Sequence, residues 1–152
     1  MRLQDRCIQA WATGSKVIEH WGQPGSRGQQ REHKVDRNLG MEKSIARDLK
    51  SAIESGFEPI EVEGQQILLV EYRIDGFGTP NDLEKRHKLE DRLNETLGWT
   101  GIGHADGGSI GSGTKAVACV VVDADAAKNT IESDLRNTPF GDYLRHYVEG
   151  TR

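Results

Sequence analysis

"QQILLVEYRID" runs from Gln65 to Asp75, and how it is read decides the fold. In an extended chain Leu68, Val70, Tyr72 and Ile74 fall on one side, with Ile67 and Leu69 on the other. A strand that starts apolar on both sides is expected at the centre of a sheet. "GFGTPNDLE" follows, from Gly76 to Glu84. Thr79 can cap a helix, Pro80 suits its first position, and Asp82 sits three residues beyond the cap. A helix is therefore predicted from Pro80 toward Leu97, carrying Leu83, Leu89, Leu93 and Leu97, with Gly98 as its stop.

Working outward, Trp99 to Thr114 supplies a second strand and a turn, and "KAVACVVVD" (Lys115–Asp123) an interior third strand. Asp123 can cap a last helix in which Ala124, Ala127, Ile131 and Leu135 share a side. "TPF" (Thr138–Phe140) breaks that helix, and "DYLRHYVEG" (Asp142–Gly150) reads as a final strand or a packed tail. Upstream, Ile45, Leu49, Ala52 and Ile53 form the stripe of an amphipathic helix, and Gly56 suits its end. "EPIEVEG" (Glu58–Gly64) reads as a short strand or an extended connection. These elements predict an α+β protein: a ferredoxin-like βαββα(β) two-layer sandwich with an extra N-terminal helix.

Over roughly residues 65–149 the chain resembles ferredoxin-like α/β sandwiches. Asp106-Gly107, then Gly111-Ser112-Gly113 ahead of an apolar strand, is similar to the hairpin of small uncharacterised bacterial proteins. The resemblance implies a fold and no named activity, because this plan serves enzymes, RNA binders, regulators and immunity proteins alike.

Residues 1–40 differ in character. They hold seven Lys and Arg against four Asp and Glu, a net of +3, whereas the rest holds thirteen against twenty, a net of −7. "CIQAWATGSKVIEHW" (Cys7–Trp21) carries Ile8, Trp11, Val17, Ile18 and Trp21 and reads as a short helix broken near Gly14. "GQPGSRGQQREHKVDRN" (Gly22–Asn38) has no apolar period and reads as flexible. The expectation is a flexible basic extension over 1–40 and a single domain over 41–152. Because Met41 opens the organised part, an upstream extension outside the physiological protein is one reading of 1–40; a basic arm touching RNA or a partner is the other.

Hydrophobic residues make up 35% of the 152, and the mean hydropathy of −0.66 marks a polar chain. The overall charge of −4 gives no general pull toward nucleic acid or anionic lipid. Cys7 and Cys119 are too few for a disulfide framework, and no CxxC zinc signature occurs. Cys119 lies in the longest apolar run, Ala116–Val122, which is far too short to span a bilayer, and it reads as a buried thiol. The N-terminus lacks the apolar core of a secretory signal, so a cytoplasmic setting is expected.

The most suggestive stretch is "GHADGGSIGSGT", Gly103–Thr114. A phosphate loop runs from a strand into a helix, but here a strand follows, and the dinucleotide and P-loop spacings both fail. Asp106-Gly107 and Ser112-Gly113 are turn dipeptides, so a scaffolding hairpin is the first reading. The rival is an anion-binding surface of Gly107, Gly108, Gly111 and Gly113 with His104, Asp106 and Arg86. Arg86 falls near the middle of the leucine arc, where its stem can pack and its head reach solvent, or its guanidinium can meet a carboxylate or phosphate. His87, His104 and Asp106 make an incomplete metal set; no metal or cofactor is expected. Ser109 and Ser112 lack a nucleophile elbow, and Tyr143, His146 and Tyr147 read as tail aromatics packing back on the core.

With no complete catalytic constellation, the expected function is a small non-catalytic binding or regulatory module acting through a protein partner or self-association, across the open sheet face. A protein or enzyme taking a phosphate or nucleotide ligand at the glycine-rich hairpin is the alternative. RNA binding through the basic arm ranks below both, because the predicted strands lack exposed aromatics for stacking.

Overall fold

The computed structural model describes residues 1–3, 6–58 and 64–150. The chain divides into two compact units, Met1–Glu61 with Trp99–Gly101, and Val62–Gly98 with Ile102–Arg152. Among the described residues, no helix is long and apolar enough to cross a membrane.

The first unit corrects the reading of its segment. Cys7–Trp21 is not a helix but most of an antiparallel hairpin, β2 (Arg6–Thr13) and β3 (Lys16–Gly22). Thr13 pairs with Lys16, leaving Gly14 and Ser15 as the turn, and Gly14 takes the left-handed φ of 59° that a tight hairpin needs. The stretch expected to be flexible supplies β4 (Gln29–Lys34), paired along its length with β3. With β1 (Arg2–Leu3) these make a four-stranded antiparallel sheet in the order β1-β2-β3-β4. "EPIEVEG" lies mostly outside the described residues; its Glu58 bridges Arg2 through two backbone hydrogen bonds of 2.8 Å.

Helix α1 (Gly40–Glu54) packs on β2 and β3. It ends as expected: Gly56 follows with φ 93°, donating to the Ile53 carbonyl. The helix lies over the face that carries Val17 and His33, cross-strand partners, because His33 Nε2 meets Asp48 of α1 at 2.8 Å.

The second unit carries the predicted alternation. Strand β5 (Gln66–Arg73), α2 (Pro80–Trp99), β6 (Gly103–Gly111), β7 (Thr114–Val121), α3 (Ala124–Leu135) and β8 (Arg145–Val148) follow in order. The four strands form an antiparallel sheet ordered β6-β7-β5-β8. Both helices are capped as predicted. Asp82 Oδ2 accepts from the Thr79 amide at 2.9 Å while Thr79 Oγ1 accepts from the Asp82 amide, and Asp123 accepts from the Ala126 amide at 3.0 Å.

Period-two alternation sends Leu68, Val70 and Tyr72 of β5 and Val117, Cys119 and Val121 of β7 to one face. There they share one core with Leu89, Leu93 and Leu97 of α2 and Ala127, Ile131 and Leu135 of α3. Both helices therefore cover the same side, giving two layers. Burial, with a smaller push from Glu90, raises the Cys119 thiol to about 12, in keeping with its reading as an inert core residue. On the opposite face Glu71 accepts from Arg145 Nε at 2.9 Å, flanked by Leu69, Ala118 and Tyr147, all half-buried.

Candidate functional site

In the first unit, strand pairing sets Trp21 beside Ile8 on β2 and Gln29 on β4. Alternation along β2 brings Arg6 to the same face, two residues from Ile8. Arg6, Trp21, Gly22, Gln23, Gly28 and Gln29 line an open cleft of about 430 Å³. Trp21 is half-buried, and Arg6 is exposed and makes no ion pair among the described residues.

Two glycines form the floor by backbone contact. A Cβ on Gly22 would lie 2.7 Å from the Gly28 Cα, and one on Gly28 would lie 2.5 Å from the Trp21 carbonyl oxygen. Gly28 also has a φ of 64°, a conformation that side chains rarely adopt. The loop between them is tied down. The buried His20 donates from Nε2 to the Arg27 carbonyl at 2.7 Å, and Gln9 Nε2 lies 3.4 Å from its Nδ1. Trp11 and Trp99 pack their rings around His20 at centroid distances of 6.4 and 5.9 Å. Ser26 closes the turn through its amide and hydroxyl, both donating to the Gln23 carbonyl. The cleft is thus a preorganised surface with an aromatic face, an exposed guanidinium and two amide side chains.

The residues expected from the sequence lie in the second unit. Gly111 pairs with Thr114, so Ser112-Gly113 is a two-residue hairpin turn, and Gly113 has φ 86°. Asp106 and Gly107 sit in a bulge between Ala105 and Gly108, with Gly107 at φ 89°. Gly103 and Gly108 permit close approach of β7: a Cβ on either would lie 2.0 or 2.3 Å from a β7 carbonyl oxygen. His104 and Asp106 are exposed on the edge strand. No group of three metal-ligating side chains occurs among the described residues.

Arg86 and Gly108 are brought together. A Cβ on Gly108 would lie 2.8 Å from Arg86 Nη1, so the guanidinium fills the space the glycine leaves. Arg86 is 14% exposed, its Nη2 donates to His87 Nε2 at 2.9 Å, and Glu90 is 4.0 Å from Nη1. The depression that Arg86 lines with Tyr72, Lys85, Lys115 and Ala116 is too narrow to admit water. Beside it the buried Lys115 donates to Asp82 Oδ1 at 2.9 Å and lies 5.9 Å from the centre of the Tyr72 ring. Burial, helped by Asp142 and Tyr143, raises the Tyr72 phenol above its usual range.

The cleft was missed because its members sit on segments read as a helix and a flexible arm. The available signal was Thr13-Gly14-Ser15 between two stretches rich in Trp, Ile and Val, which is a hairpin pattern. No protein-family model matches the chain, and neither curated proteins nor solved structures gave a match.

Proposed function

We propose that the first unit binds single-stranded nucleic acid, with a base against Trp21 and a backbone phosphate on Arg6. The observation that carries this reading is the cleft itself: an accessible indole and an arginine without an ion pair among the described residues, held on one sheet face over a glycine floor. Aromatic stacking takes any base, and a guanidinium supplies the phosphate contact. The strands that build the cleft lie within residues 1–40, whose net charge is +3. Gln29 offers its amide to a base edge or a sugar hydroxyl.

The second unit is proposed as a ferredoxin-like sandwich. Supporting this are the sequence of elements β5-α2-β6-β7-α3-β8 and the strand order β6-β7-β5-β8, with every neighbour antiparallel. The glycine-rich hairpin serves it as scaffold: each of its glycines but Gly111 sits at a turn, a bulge or a close backbone approach.

Fluorescence anisotropy of a labelled oligonucleotide against the full chain, over a series of salt concentrations, tests the binding. Affinity is expected to fall as salt rises. Arg6→Ala is expected to reduce the salt slope by about one, and Trp21→Ala to cost about 1–3 kcal/mol at every salt. Absence of binding at low salt, or binding indifferent to both substitutions, overturns the reading.

A further inference from the structure

Strand register lays out the face of the second unit's sheet that lies opposite α2 and α3. On it Val120 of β7 pairs with Ile67 of β5, Ala118 with Leu69, and Ala116 with Glu71. On the flanking strands His104 of β6 stands beside Val120, and Tyr147 of β8 beside Leu69. Glu149 extends the ladder one residue past β8, donating to the Ile67 carbonyl at 2.8 Å, and alternation sends it to the same side as Tyr147. One row across the sheet is therefore His104, Val120, Ile67 and Glu149, and the next holds Ala118, Leu69 and Tyr147. Ile67 is 41% exposed, and Val120, Ala118, Leu69 and Tyr147 are half-buried. In the following row Glu71 is already buried against Arg145, whose Nε donates to it at 2.9 Å. The result is an apolar patch with a polar rim.

The same rows indicate the partner. Stacked sheets keep their strands nearly aligned. A twofold axis parallel to the strands, midway between two stacked sheets and over the β5–β7 boundary, sets β7 of one copy over β5 of the other and β6 over β8, row by row. Val120 then meets Ile67, and the small Ala118 leaves room for Leu69. At the rim the His104 imidazole meets the Glu149 carboxylate, a donor against an acceptor. Both are exposed, and neither makes an ion pair among the described residues. The face is thus complementary to itself in size and in charge. A nucleic acid would instead meet Glu149 as a repulsion and find the Arg145 guanidinium already engaged by Glu71. We infer that this face is a self-association surface, on which two copies stack sheet on sheet with His104 of each against Glu149 of the other. Four strands about 4.8 Å apart give a face roughly 20 Å on a side, small beside a standard interface of about 800 Å² per partner, so the dimer is concentration-dependent.

Sedimentation velocity of the nuclease-treated full chain over a wide concentration range tests this independently of nucleic-acid binding. A monomer–dimer equilibrium is expected. Ile67→Lys, at a position already open to water, is expected to abolish it, and His104→Glu or Glu149→Lys alone to weaken it several-fold. The double variant H104E/E149K is expected to restore it, because a carboxylate again faces a cationic donor, an outcome that loss of folding cannot mimic. A chain that stays monomeric throughout, a dimer that survives Ile67→Lys, or a double variant no tighter than the singles overturns the inference.

Discussion

Gly28 and Trp21 show how much of the cleft rests on single residues. At Gly28 a side chain would clash with the Trp21 carbonyl and take an unfavourable backbone conformation at φ 64°. Gly28→Ala is expected to cost about 2–4 kcal/mol and to abolish oligonucleotide binding, read by urea unfolding and by anisotropy. Gly14→Ala is its control, since that turn has the same sign of φ, at 59°, but open space where the Cβ would stand. A second residue-scale prediction concerns Asp82. The Lys115 ammonium, then the amide and hydroxyl of Thr79, hold its carboxyl at about 2. A carboxyl whose folded value lies below its unfolded value of roughly 3.9 stabilises the fold above that pH. The contribution is lost as pH falls through the interval between roughly 4 and 2. Asp82→Asn is expected to flatten that acid limb in thermal unfolding followed against pH. Asp82→Ala is expected to cost more than Lys115→Met, because only the former strands a buried ammonium without its carboxylate.

At the scale of elements, what could be read from the sequence follows what each element buries. Strands β5 and β7 bury one full apolar face, helices α2 and α3 carry leucine and alanine stripes, and capping residues mark both helix starts. Local pattern and tertiary burial agree there, so the order of elements in the second unit was legible. They disagree in β2, β3 and β4. Strand β3 buries Glu19 and His20 alongside Val17, and β4, "QQREHK", has no apolar residue at all. Its place comes from the ladder with β3, reinforced by Arg31 on Glu19 and by Lys16 on Glu32, and a ladder cannot be seen in one segment alone. The cleft was illegible for the same reason, since Arg6, Trp21 and Gln29 meet only through cross-strand register. Arg86 was legible as an anomaly on an apolar arc, but its seat against Gly108 was not. The Cys119 thiol, raised to about 12 by burial, gives an element-scale test. Its alkylation at pH 8, followed by peptide mass mapping, is expected to proceed only through unfolding of the second unit and to slow with any ligand that stabilises it. Rapid labelling under native conditions would mean that β7 is accessible.

At the scale of the whole molecule, charge is divided along the chain, +3 over the first forty residues and −7 over the rest. The basic excess is confined to the first forty positions, which carry the strands that build the cleft. Salt is expected to weaken nucleic-acid binding through counterion release, by a slope set by the few phosphates contacted. The most direct measurement uses the three tryptophans as reporters, because only Trp21 lines the cleft while Trp11 and Trp99 pack around His20. Indole N–H resonances of the ¹⁵N-labelled full chain, followed as a single-stranded oligonucleotide is added, should show Trp21 shifting progressively while Trp11 and Trp99 stay close to their starting positions. An unmoved Trp21 at saturating oligonucleotide, or shifts confined to residues outside β2, β3 and the loop joining β3 to β4, would contradict the cleft as the nucleic-acid site.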